Sequence, residues 1–191
     1  MNPAASVTGL ILCGGAGSRM GGADKGLIRF HGEPLVDIAL RKLQHQLSRV
    51  LISANRNMQE YGLRGVEVIR DPNPHSDIPR YDGPLAGILG ALREVRSGWL
   101  MVVPCDCPLF PEDIVGTLAD ATDGHPAGAY VRDHPTFALV PAGSLDHLET
   151  FLSHGGRKLG TWLQQLGATA IDGGPPERFR NLNSPEDLPP L

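Results

Sequence analysis

Residues 7 to 25 read VTGLILCGGAGSRMGGADK: an apolar run from Val7 to Leu12, then at once five glycines, one arginine and one lysine. The apolar run reads as a short buried strand. Glycine lets the backbone approach a ligand closely, so a glycine-rich turn leaving a strand offers N–H groups to phosphate oxygens. Arg19 and Lys25 add two positive charges to the same turn, which makes a polyphosphate the first ligand to consider.

Two common phosphate loops have strict spacings, and neither fits. A Walker loop needs G-x-x-x-x-G-K-[ST], yet Lys25 follows Asp24 and precedes Gly26. A dinucleotide fingerprint needs G-x-G-x-x-G, and the run that starts at Gly15 and Gly17 ends in Met20. A GTPase and a Rossmann dehydrogenase both lose support.

Outward from this loop, short β-rich runs alternate with helical patterns: VTGLIL, a helix over 34 to 47, RVLIS, VEVI, a helix over 85 to 96, WLMVV, and a helix over 112 to 121. That alternation predicts an α/β fold with a mainly parallel sheet. Val36, Leu40, Leu43 and Leu47 form one apolar stripe able to pack on it, with Pro34 in the first turn. AGAYV and TFALV read as a hairpin across Arg132 to Pro135, followed by two helical segments and a proline-rich tail. Residues 72 to 84 read as a long polar loop.

The chain has 191 residues and no low-complexity divider, which predicts one domain over 1–191. No apolar run approaches the roughly 18 residues needed to span a bilayer. The N-terminus lacks the features of a signal peptide, and three cysteines suit a reducing compartment, so a cytoplasmic protein without membrane partners is expected. Cys105 and Cys107 lack the second pair that a zinc site needs. A net charge of −4 and few aromatics argue against nucleic acid as a partner.

Ligands of parallel sheets bind beyond the carboxyl ends of the strands. Each early strand is followed there by a candidate: Leu12 by the glycine loop, Ile52 by Ser53 and Asn55, Ile69 by Asp71, and Val103 by Asp106. Asp106, in PCDCP, is a lone carboxylate at a strand end. Beside a triphosphate it suits Mg²⁺, which takes one or two carboxylates together with phosphate oxygens and water; the alternative is a cap on the helix near Pro111. Asp71 could hydrogen-bond a nucleoside, help hold metal, or form an Asx-turn into Pro72. Asn55 could read a base edge or ribose. His134 is expected to be structural, and no Ser-His-Asp or Cys-His pairing stands out.

The residues resemble the molybdenum cofactor guanylyltransferases (MobA), within the nucleotidyltransferases. LCGGAGSRMGGADKGL is similar to that family's L-A-G-G-x-x-x-R-M-G-x-x-K signature, and GPLAGI at 83 to 88 resembles its following helix start. PCDCP, DHPTFALV and NLNSPEDL resemble its P-C-D-x-P, H-P-x-x-A-L and N-x-N-[TS]-P-E-[DE] segments, in the family's order along nearly the whole chain. The resemblance implies a Rossmann-like, nucleotide-diphospho-sugar transferase-like sheet with helices on both faces.

It further implies that GMP passes from GTP to the phosphate of molybdopterin. Leu12, Cys13, Gly14, Gly15 and Lys25 would hold GTP, Asn55 fits the A-N-R segment, Asp71 and Asp106 lie at the nucleotide, and Asp106 binds Mg²⁺. Arg19, Lys25 and Asp106 are the expected catalytic set. Asn181 and Asn183 fall on the pterin side, where Arg157 and Lys158 are added for their charge. Cys13 stands for the usual alanine and Ser53 for a frequent asparagine. Molybdenum-insertion and target-enzyme proteins are partners by resemblance only. The alternatives are a CTP-using molybdopterin cytidylyltransferase, a sugar-phosphate nucleotidyltransferase, and a non-catalytic cofactor carrier.

Overall fold

In the computed structural model, residues 7–13, 24–72, 83–182 and 187 are described. The glycine loop over 14–23, with Arg19, Gly14 and Gly15, most of the 72–84 loop, and Asn183 lie outside them.

The first apolar run is β1 (Val7–Leu12), the centre of a seven-stranded sheet. It pairs in parallel with β4 (Arg49–Ser53) on one side and β6 (Trp99–Pro104) on the other. Leu12 is level with both Ser53 and Pro104, so all three strands end at one height. β5 (Glu67–Ile69) extends the parallel half beyond β4, its Ile69 level with Ser53. A two-residue-per-strand ribbon, β2 (Arg29–Phe30) and β3 (Glu33–Pro34), stands apart.

Beyond β6 the direction changes. β8 (His134–Pro141) runs antiparallel to β6, and β7 (Ala129–Val131) antiparallel to β8, which confirms the expected hairpin with Arg132 and Asp133 at its turn. β9 (Thr169–Ile171) then pairs in parallel with β7, giving the order β5-β4-β1-β6-β8-β7-β9. Because β8 enters from the edge where β6 ends, His134 begins at the same rim as Asp106.

Side chains alternate between faces along each strand, and each face carries helices. Val7, Ile11, Val50, Ile52, Met101 and Val103 meet α1 (Leu35–Gln44) and α4 (Ile114–Asp120). Leu10, Leu51, Leu100 and Val102 meet α3 (Pro84–Glu94), α5 (Leu145–Ser153) and α6 (Leu159–Leu166). Continuous apolar strands are thus covered on both sides, as a parallel sheet requires.

The expected stripe is there, but α1 is shorter than 34 to 47. Pro34 precedes it with ψ 140°, outside the first turn, and Leu47 reaches the core from beyond the last turn. The short α2 (Met58–Gly62) and β9 have no counterpart among the sequence expectations.

Candidate functional site at the carboxyl edge of the sheet

The backbone at this edge is tied together before any side chain is considered. Cys13 N–H donates to Ser53 O at 2.9 Å, Cys105 N–H to Leu12 O at 3.2 Å, and Ala54 N–H to Ile69 O at 3.0 Å. The ladder therefore runs one residue past each strand, which fixes the backbone at Cys13. The Cys13 N–H is engaged by Ser53, so any contact from Cys13 to a ligand comes through other atoms. Its thiol is buried against Cys105 and Tyr61, and burial, followed by the Cys105 thiol, raises its pKa well above the ordinary value.

Two groups of side chains stand on this platform. In the first, Lys25 Nζ donates to Asp106 Oδ2 at 3.0 Å, with Asp106 buried and its side chain 13% exposed. Lys25 belongs to a single 3-10 turn, Lys25–Leu27, just past the glycine loop. Asn181 Nδ2 approaches the same Oδ2 at 3.5 Å, and Leu182 N–H donates to Asp106 O at 2.8 Å. Asp106 is thus held from both ends of the chain, and its carboxylate is not a helix cap.

Asn181 comes to the Asp106 carboxylate directly, and Cys107 explains its pose. The Cys107 thiol faces Asn181 Oδ1 at 2.9 Å, Phe179 O at 3.5 Å and Asp106 Oδ1 at 3.8 Å. Burial, then the neighbouring Asp106 charge, raises its pKa, so it stays a thiol and a donor. The sequence offered no signal for this role, since C-x-C is read first as a metal motif.

In the second group, Asn55 and Asp71 form a closed pair. Asn55 Nδ2 donates to Asp71 Oδ2 at 2.6 Å, and Asp71 N–H donates back to Asn55 Oδ1 at 3.1 Å. Ser53 Oγ lies 3.3 Å from Asp71 Oδ1. Asp71 is therefore neither a simple Asx-turn nor a mobile carboxylate; its orientation is set by Ser53 and Asn55 at the end of β4. α3 backs this group closely: a Cβ on Gly87 would lie 2.7 Å from both Leu12 Cδ2 and Ser53 Oγ.

Other expectations separate. Lys158 precedes α6, but the Arg157 guanidinium donates to Leu152 O at 3.1 Å and Gly156 O at 2.6 Å. Arg157 is thus engaged at the C-terminus of α5, where a cation suits the helix dipole. Both residues line a cleft of about 570 Å³ with Phe151, Thr161 and two histidines. His134 stacks on Phe179, ring centroids 5.1 Å apart, which is a structural role.

Among the described residues no group of three or more His, Cys, Asp or Glu side chains could enclose a metal ion. Asp106 still fits Mg²⁺ by its chemistry. It is a partly open hard oxygen donor whose Oδ1 meets, among the described residues, a thiol at 3.8 Å. An ion there needs most of its ligands from phosphate and water.

The model for the MobA-like NTP transferase domain matches residues 9–169. The chain belongs to that family. It is 38% identical over 192 residues to the molybdenum cofactor guanylyltransferase of Cupriavidus metallidurans, covering 95% of this chain and 92% of that one. The Pasteurella multocida protein of the same name is 41% identical, with 94% and 95% covered. Among solved structures, molybdopterin-guanine dinucleotide biosynthesis protein A from Archaeoglobus fulgidus superposes with TM-score 0.74 at 24% identity, covering 95% and 94% of the two chains. A 4-diphosphocytidyl-2C-methyl-D-erythritol synthase superposes with TM-score 0.67 at 11% identity, over 96% and 95%. These two likenesses establish the nucleotidyltransferase fold. Among the described residues no helix is long and apolar enough to cross a membrane.

Proposed function

We propose that the protein transfers GMP from GTP to the phosphate of molybdopterin, releasing diphosphate and forming the guanine dinucleotide. The observation that carries this reading is the meeting of Lys25 with Asp106 at the rim where the glycine loop leaves β1. A cation and an anion 3.0 Å apart support a site for a triphosphate and its counterion, in which Lys25 would turn to phosphate oxygens and Asp106 to Mg²⁺. Bound there, Mg²⁺ supplies charge neutralisation at the reacting phosphate.

The nucleophile is a phosphate and already an anion, so no general base is required. The chain's task is to align two anions for in-line displacement at the α-phosphorus and to offset their charge, for which Lys25 and Arg19 are the cations. Asn181, beside Asp106, supports the reading of a pterin side there, and Asn183, Arg157 and Lys158 complete that proposed side.

Asp71 supplies base selection. Guanine presents two adjacent donors, N1–H and the N2 amine, and a carboxylate with two oriented oxygens accepts both. Cytosine has no such pair. Ser53 and Asn55 hold Asp71 for that task, which offsets the absence of an asparagine at position 53.

Calorimetric titration of GTP, CTP, ATP and UTP with Mg²⁺ at fixed salt tests the reading. Selective binding of GTP, followed by dinucleotide formation with molybdopterin, is expected. Preference for CTP would move the protein to the sister activity, and binding of none of the four would overturn the assignment. Transient contact with molybdenum-insertion and target-enzyme proteins, and action in the cytoplasm, belong to the same proposal.

A further inference from the structure

Lys25 reaches Asp106 from a turn at the end of a ten-residue glycine-rich stretch, and such a stretch does not by itself fix a side chain. The fixing comes from Asp24. Its Oδ1 accepts the Tyr61 hydroxyl, and its Oδ2 accepts Asn57 Nδ2 at 3.1 Å. Its carbonyl accepts Leu27 N–H at 3.0 Å, closing the turn that carries Lys25.

Tyr61 is fully buried, and its ring lies directly under the turn: a Cβ on Gly26 would sit 2.4 Å from the Tyr61 oxygen. Phenylalanine would fill the same volume, so the hydroxyl is there for what it binds, and a buried hydroxyl without a partner is costly. Asn57 sits at φ 49°, a left-handed conformation that asparagine tolerates better than most residues, immediately before α2. Both donors therefore come from one short helical segment whose geometry points them at the same carboxylate.

We propose that Tyr61 and Asn57 are positioning residues that hold Lys25 at the phosphate site by clamping the two oxygens of Asp24. This rests on the reading of Lys25 as a phosphate ligand. The clamp works through the Lys25–Leu27 turn. With both its oxygens occupied, Asp24 keeps its charge turned away from the incoming phosphates while its backbone presents the lysine.

The test compares Tyr61→Phe and Asn57→Gly with the parent chain. Without ligand, tryptic cleavage at the Lys25–Gly26 bond, read by mass spectrometry, is expected to accelerate about tenfold while the melting profile stays cooperative. GTP affinity is expected to fall about tenfold in the parent background and to stay unchanged when Lys25→Ala is already present. Unaltered cleavage, or an equal loss of affinity in both backgrounds, would overturn the clamp. Should Tyr61→Phe melt early, Asn57→Gly, which removes the same donor at an exposed site and keeps the left-handed backbone without strain, decides alone. If the parent chain binds no GTP, the functional reading fails, and the cleavage rate still judges the clamp.

Discussion

Lys25 Nζ and Asp106 Oδ2 are 3.0 Å apart although 81 residues separate them in sequence. The lysine side chain is 28% exposed, and partly exposed ion pairs contribute little to folding, typically about 0.2–1 kcal/mol. Lys25→Met and Asp106→Asn should therefore unfold in urea within about 1 kcal/mol of the parent. Turnover should fall by roughly 10²- to 10³-fold, the loss seen when one transition-state stabiliser is removed. Parallel unfolding curves and single-turnover rates decide it; a large loss of stability without loss of rate would make the pair structural.

Asn55 makes two hydrogen bonds with Asp71, one from its amide nitrogen and one to its amide oxygen. Asn55→Ala removes both and leaves the carboxylate to the Ser53 hydroxyl alone. GTP affinity should fall about tenfold, and the ratio of GTP to CTP affinity should narrow, as calorimetry would register. Uniform weakening towards both nucleotides would take base selection away from Asp71.

Cys107→Ser keeps a donor towards Asn181 Oδ1, whereas Cys107→Val does not. Valine should cost about 1–3 kcal/mol because Asn181 Oδ1 loses its donor in a part-buried site, and serine clearly less. The same order is expected in turnover, since Asn181 also approaches Asp106.

Alkaline pH should destabilise the fold through Cys13, Cys107 and Tyr61. Burial is the main cause that raises all three pKa values in the folded chain. The sign follows from linkage: above the unfolded values, about 8.5 for a thiol and 10 for a phenol, the unfolded chain releases protons that the folded chain retains. Their stabilising contribution is complete below about pH 8.5 and declines as pH rises, by roughly 1.4 kcal/mol per unit for each thiol above about pH 8.5 and for the phenol only above about pH 10. Metal-free urea unfolding at pH 7.5 and pH 10 measures this, and Cys13→Ala should flatten the slope.

Arg157 and Lys158 should part company. Arg157→Ala removes two hydrogen bonds near the end of α5 and should lower stability by about 1–2 kcal/mol. Lys158→Glu should leave stability and GTP binding near parental values while weakening molybdopterin binding, which titration of each ligand would separate.

Much of this was open to reading in the amino-acid order. β1, β4 and β6 are apolar runs that only a doubly covered sheet explains, and the residue types following each run marked Asn55, Asp71 and Asp106 as neighbours. The short elements were not legible for a physical reason: α2 and β9, five and three residues long, contain too little of their period to show it. Tyr61 and Cys107 were missed because a lone tyrosine or a second thiol has many bland roles, and their partners, Asp24 and Asn181, are set by the tertiary fold. The charge of Arg157 was visible, but its carbonyl partners were not.

β6 pairs with parallel β1 on one side and antiparallel β8 on the other. Like a hinge pin shared by two door leaves, it belongs to both halves of the sheet, and Asp106 stands just beyond its tip. The half built from β1, β4 and β5 carries Asn55 and Asp71, the proposed nucleotide groups; the segment after β9 delivers Asn181. A graft exchanging residues 129–182 between members of the family should renew the proposed acceptor side and leave the proposed donor side intact, with the Asp106 carboxylate common to both.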